Sequence, residues 1–258
     1  MCVVRHLDWE GCFNARDLGG LRTGNGRVTV SGRVVRADSL DGLTAAGWTA
    51  LTAYGVRTII DLRNDDERHD DVAPRPPTVT TQHLPLDGSD DRVFWDVWDG
   101  GPQFGTPLYY RPHLERMPRR SAAVLAAIAD APAGGVVFHC GAGRDRAGLV
   151  TMLLLALVGV TPDDIVADYV LSAERLTVRA AALGDEDQEP ILSAYMAEQG
   201  TTAAEVLRRV LAELDDVRAL LVSGGLTEQD VTTLRRRLLD PEPFVVSARV
   251  ADTTRPVS

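Results

Sequence analysis

The stretch that most constrains the fold is VVFHCGAGRDRAGLV, residues 136 to 150. It completes a short apolar run, 135–140, breaks at Gly141 and Gly143, and resumes as a longer apolar run, 146–160. A continuous apolar run of the first kind reads as a strand buried on both faces, which belongs to parallel sheets covered by helices. The second run reads as a buried helix. Strand, glycine-rich loop and helix in that order predict an α/β fold, with the loop joining the C-terminal end of a strand to a helix N-terminus. Cys140, Arg144, Asp145 and Arg146 crowd that junction, and a purely structural connection needs none of them.

The remaining pattern agrees. Residues 32–40 and 56–63 read as strands with a helix at 40–55 between them, ended by Gly55. Residues 78–86 alternate as a further strand, and 119–132 read as the helix that leads into the Cys140 strand. The expected architecture is a central, mostly parallel sheet of four to five strands flanked by helices, with a helical C-terminal extension. Helices are expected at 162–182, 190–200, 202–225 and 227–239. Residues 87–118 are aromatic, rich in Asp and Gly and poorly periodic, which reads as a loop or lid. One domain is expected over 1–245, with its helical part at 162–240 and a disordered tail at 246–258.

Composition narrows the function. The chain of 258 residues carries a net charge of −10 and has no lysine, so every fixed cation is an arginine. That balance argues against nucleic-acid partners and anionic membranes. The N-terminus has no apolar core of signal-peptide length, and no segment reaches the ~20 apolar residues of a membrane span. A cytoplasmic protein is expected, with leaderless secretion the other option. Cys2, Cys12 and Cys140 cannot build a disulfide framework and match no zinc spacing, so no metal or cofactor is expected. Cys2 and Cys12 read as incidental.

The loop itself suits an anion. Backbone N–H groups converge where a glycine-rich turn enters a helix, and the helix dipole adds positive potential. Nucleotide loops are excluded by spelling: Leu149 follows Gly148 where a lysine is required, and Arg146 takes the place of the third glycine of a dinucleotide fingerprint. Cys140 at a helix N-terminus beside cations has the surroundings that lower a thiol pKa. Arg146 can fold back so that its planar fork grips two phosphate oxygens. Together they suit phosphoryl transfer to sulfur followed by hydrolysis.

The sequence HCGAGRDRAG, 139–148, resembles the His-Cys, five residues, Arg signature of cysteine-dependent protein tyrosine and dual-specificity phosphatases. It is most similar to the bacterial branch that includes the secreted mycobacterial tyrosine/lipid phosphatase. FNARDLGG (13–20), VVRADSL (34–40), TIIDLR (58–63) and DYVLSAERL (168–176) resemble further blocks of that branch. The resemblance implies Cys140 as nucleophile, Arg146 as phosphate clamp, and Gly141, Ala142, Gly143, Arg144 and Asp145 as the cradle. It implies phosphate and vanadate as ligands, and a phosphorylated protein or a phosphoinositide as substrate. Phosphotyrosine leads, with phosphoserine and phosphothreonine beside it. A phosphoinositide phosphatase and a pseudophosphatase that only binds phosphorylated ligands are the alternatives. Sulfur-transfer and arsenate-reducing enzymes fit poorly, lacking respectively the closing arginine and the partner cysteines.

Two positions depart from the branch: Arg144 stands for its usual lysine and Ala147 for a hydroxyl residue. For the general acid, Asp145 is favoured as the acidic residue of the branch's own loop, with Asp87 after the 78–86 strand as the other candidate. Asn14, Arg16 and Asp17 read equally as a hydrogen-bonded turn or as the edge of the pocket. Asp61 and Arg63 read as a structural ion pair, and His139 as a group that orients the loop. Trp95, Trp98, Tyr109 and Tyr110 read either as an aromatic wall over the site or as packing.

Overall fold

The computed structural model describes residues 5–68, 75–214 and 216–241. The expected tail at 246–258, the domain end at 245 and Cys2 lie outside the described residues. The elements run β1 (Arg16–Asp17), β2 (Val34–Ala37), α1 (Ala45–Ala53), β3 (Val56–Asp61), β4 (Thr80–His83), α2 (Arg92–Trp98), α3 (Tyr110–Arg116), α4 (Pro118–Asp130) and β5 (Gly135–His139). They continue with α5 (Asp145–Leu157), α6 (Pro162–Leu183), α7 (Glu189–Glu198), α8 (Ala203–Glu213), α9 (Val217–Ser223) and α10 (Glu228–Leu239).

The strands form one sheet in the order β1-β2-β5-β3-β4, parallel throughout except for β1. β5 is its central strand, and its side chains alternate as a strand's must. Val136 and Phe138 pack into the cluster built from α4 and α5, while Val137 joins Trp9, Trp48, Leu51 and Ile59 on the opposite face. Both faces are therefore covered, which is why β5 reads as a continuous apolar run rather than an alternating one. The loop after β5 sits at the C-terminal ends of the parallel strands, where α/β sheets place their ligands.

The expected α/β sheet is present with five strands. β1 is too short to leave a sequence pattern and was not anticipated. The run expected as one helix at 202–225 is two, α8 and α9, because Asp216 caps a new start by accepting the N–H of Ala219 at 2.9 Å. Residues 87–118 are not a structureless loop. They form α2, 3-10 turns at Pro102–Gly105 and Pro107–Tyr109, and α3. Trp95, Tyr109 and Tyr110 are buried there among Phe94, Phe104 and His113, and Trp98 is half-buried, so these aromatics pack against one another. Among the described residues no helix is long and apolar enough to cross a membrane.

Candidate active site

Cys140 follows the last residue of β5, and α5 begins at Asp145, so the loop spans 140–144. Gly143 makes it fit. Its φ is +69°, and a Cβ there would lie 2.6 Å from the carbonyl of Ala37 and the N–H of Asp38, so only glycine serves. The loop carbonyls are tied down one after another. Ser39 N–H donates to Gly141 at 3.0 Å, Asn14 Nδ2 to Ala142 at 3.0 Å, and Arg36 Nη2 to Gly143 at 2.6 Å and Arg144 at 3.3 Å. Fixing the carbonyls on the protein side leaves the peptide N–H groups for the other side. Those of Ala147 and Gly143 act on the Cys140 sulfur in favour of its anion.

Behind this bracing stands Asp168 of α6, wholly buried. It accepts from Arg5 Nη1 at 2.6 Å, Arg16 Nε at 3.1 Å and Arg36 Nη1 at 2.8 Å. Burial alone would raise its carboxyl, but Arg16, Arg36 and Arg5 hold it well below the usual carboxylate range. Burial, with Arg36 nearby, pushes Arg16 down to about 10. Arg16 also donates to Asn14 Oδ1 and to Ser172 Oγ at 2.9 Å. Arg16 and Asn14 thus belong to the wall behind the loop. Asp17 does not join them: it accepts the N–H groups of Gly19 at 2.8 Å and Gly32 at 2.7 Å and the Tyr54 hydroxyl, which fixes the β1 turn.

In front of the loop Arg146 meets two carboxylates. Both terminal guanidinium nitrogens engage Glu67, Nη2 at 2.6 Å from Oε1, and Nη1 lies 3.3 Å from Asp87 Oδ2. Glu67 closes a 3-10 turn, Asp65–Glu67, whose cap Asn64 donates its N–H to Glu67 at 2.9 Å and its Nδ2 to Asp87 Oδ2 at 3.0 Å. Burial pushes the Asp87 carboxyl up to about 6; Glu67 adds to this and Arg146 opposes it. Asp87 is 3% exposed, and its Oδ1 has no hydrogen-bond partner. The Trp95 indole donates to the carbonyls of Asp87 and Gly88, each at 3.1 Å, so the aromatic cluster holds Asp87 in place.

Asp145 is placed differently. Its carboxylate faces Arg144, with Nε at 3.1 Å, and its carbonyl accepts the Tyr110 hydroxyl at 2.7 Å. Arg144 also engages Glu189 at the start of α7. Burial pushes the Cys140 thiol up rather than down, against Arg146 and the N–H groups of Ala147 and Gly143. The surroundings expected to lower it are present, but the sulfur is fully buried and Glu67 shares the charge of Arg146. His139, pushed down to about 4 by burial, is neutral near pH 7, and its Nδ1 lies 3.4 Å from the Cys140 carbonyl. Asp61 and Arg63 form the expected ion pair at 2.9 Å, shared with Asp41. Cys12 donates to Asp38 at 2.7 Å, a structural contact.

Three groups at the site escaped the sequence reading. Glu67 sits in an acidic run, where only the Asn64-to-Glu67 spacing of a capping box marks it. Asp168 lies on the buried stripe of α6 with Ile165, Tyr169 and Ser172, and a carboxylate on an apolar stripe demands partners. Glu189 has no signal apart from its place in the first turn of a helix.

Residues 7–240 match the tyrosine phosphatase family. A Cupriavidus necator protein provisionally named a tyrosine-protein phosphatase is 32% identical over 66% of this chain and 64% of its own length. A Nostoc commune tyrosine-protein phosphatase is 30% identical over 79% of this chain and 73% of its own. The triple specificity protein phosphatase PtpB of Mycobacterium tuberculosis is 28% identical over 72% and 75% respectively. With nearly all the described residues inside that match, the chain belongs to the tyrosine phosphatase family.

Proposed function

We propose that the chain hydrolyses phosphomonoesters, phosphotyrosine first and phosphoserine or phosphothreonine beside it, through a phosphocysteine intermediate. The observation that carries this reading is the loop from Cys140 to Arg146, whose carbonyls are pinned behind it by Ser39, Asn14 and Arg36. Names of the relatives agree in kind.

In the proposed sequence, the substrate phosphate takes the place of Glu67 on Arg146 and lies over the loop N–H groups. Once Glu67 has left Arg146, the Cys140 thiol gives its proton to solvent, the resulting thiolate attacks phosphorus, and the P–O bond to the leaving group breaks. The departing oxygen takes a proton, which we assign to Asp87 rather than Asp145. A general acid must hold its proton near the working pH, and a carboxyl raised to about 6 does so; the side chain of Asp145 instead faces Arg144. Water then attacks the phosphocysteine, Asp87 recovers a proton from it, and inorganic phosphate leaves with the thiolate restored. Arg146 and the loop N–H groups stabilise the equatorial oxygens throughout.

The first test is hydrolysis of p-nitrophenyl phosphate by the native chain and by Cys140→Ser. Turnover that vanishes in the variant supports the reading. Phosphate or vanadate binding without turnover makes the protein a phospholigand-binding pseudophosphatase, which the Glu67–Arg146 pair and the absence of a hydroxyl at Ala147 would then explain.

A further inference from the structure

A cleft of about 670 Å³ is lined in part by Glu67 and Asp87, the two carboxylates that meet Arg146 of the loop. Six carboxylates, from Asp65 to Asp99, line it against two arginines, Arg92 and Arg120. Arg120 is already matched by Asp90 at 2.9 Å, and Asp65 and Asp66 are exposed at the rim. A group of acids alone would be a solvated surface. What ties this cleft to the reacting site is that Glu67 and Asp87 both line it and meet Arg146.

The opposite flank of the loop has the same sign. There Ala142, Arg144 and Arg179 border Asp185, Glu186, Asp187 and Glu189; the Arg144 charge is met by both Asp145 and Glu189, and Arg179 lies 3.6 Å from Asp38. Among the described residues of the loop both arginines are met by two carboxylates each, so a phosphate gains Arg146 only as Glu67 leaves it, and the acids on both flanks would repel a second phosphate. Resting on the phosphatase reading above, we infer that the preferred substrate is a phosphopeptide with arginine or lysine beside the phosphorylated residue, taken ahead of polyphosphorylated inositol.

Exposed ion pairs are individually weak, each giving at most a few-fold, so two or three give roughly tenfold together. The test uses full-length Cys140→Ser and two fluorescent phosphotyrosine peptides that differ only in flanking Arg or Glu. Anisotropy titration should give about tenfold tighter binding of the Arg peptide, shrinking as salt screens the pairs. The double variant Asp65→Asn, Asp66→Asn should move the ratio toward one. A soluble inositol polyphosphate should displace the Arg peptide less well than the same peptide unlabelled. Equal affinities, a ratio unmoved in the double variant, or a tighter inositol polyphosphate overturns the inference. Hydrolysis of p-nitrophenyl phosphate by the native chain separates the two claims. Turnover with a ratio of one removes the cleft inference alone, and a preserved ratio without turnover removes the catalytic reading alone.

Discussion

Asp87 and Glu67 both touch Arg146, yet burial and neighbours drive them apart: the Asp87 carboxyl up to about 6, and Glu67 below its ordinary value because Arg146 outweighs the burial that would raise it. Such divergence separates an acid from a permanent anion. Asp87→Asn should slow phenyl phosphate by roughly 10²- to 10⁴-fold while slowing p-nitrophenyl phosphate little, since nitrophenolate needs little protonation. The raised pKa means that the proton is held below about 6 and lost above it. In the native chain, rates with poor leaving groups should therefore decline as pH rises through that value, and this limb should disappear in Asp87→Asn. If Asp145→Asn shows the leaving-group pattern instead, the proton comes from within the loop. Glu67→Gln removes the anion from Arg146 and should lower the Cys140 pKa. Iodoacetamide labelling at Cys140, located by mass spectrometry, should accelerate at neutral pH; an unchanged rate would mean that Glu67 does not shield the sulfur.

At the scale of elements, β5, its loop and α5 were legible because each leaves a local mark: an uninterrupted apolar run, two glycines, and a second apolar run. What holds the loop in shape was not, because it is assembled from distant segments. Arg36 of β2 reaches Gly143 across 107 positions, and Arg16 reaches Asp168 across 152. Sequence blocks around 14–17, 36 and 168 could be noticed, but nothing local says that they meet at one carboxylate. Asp168→Asn should leave buried arginines uncompensated, costing about 3–5 kcal/mol of stability and weakening vanadate binding. Arg36→Lys, which keeps the charge but loses the fork, should weaken vanadate with a smaller loss of stability, a split that general unfolding would not produce. Since the Asp168 pKa is depressed on folding, its contribution is present above about pH 4, the unfolded value, and is lost as pH falls below it. A native chain no more acid-sensitive than Asp168→Asn would contradict this.

For the whole molecule, hydrophobic periodicity carried most of the architecture, since a parallel sheet covered on both faces and a helical extension each impose their own period. It failed where tertiary packing overrides local pattern. Residues 87–118 have too few periodic turns to read as helices, yet α2 and α3 are held by aromatic side chains that meet Tyr169 of α6 and the back of the acid position. The net charge of −10 was read as excluding nucleic acid, and its distribution says more, for acids gather on both flanks of the loop. The measurement closest to the central claim is a rapid acid quench of the native chain during turnover of a phosphorus-labelled phosphotyrosine peptide. Label should accumulate on Cys140 alone and be absent from Cys140→Ser. Label on another residue, or turnover that survives the loss of this sulfur, would contradict the account.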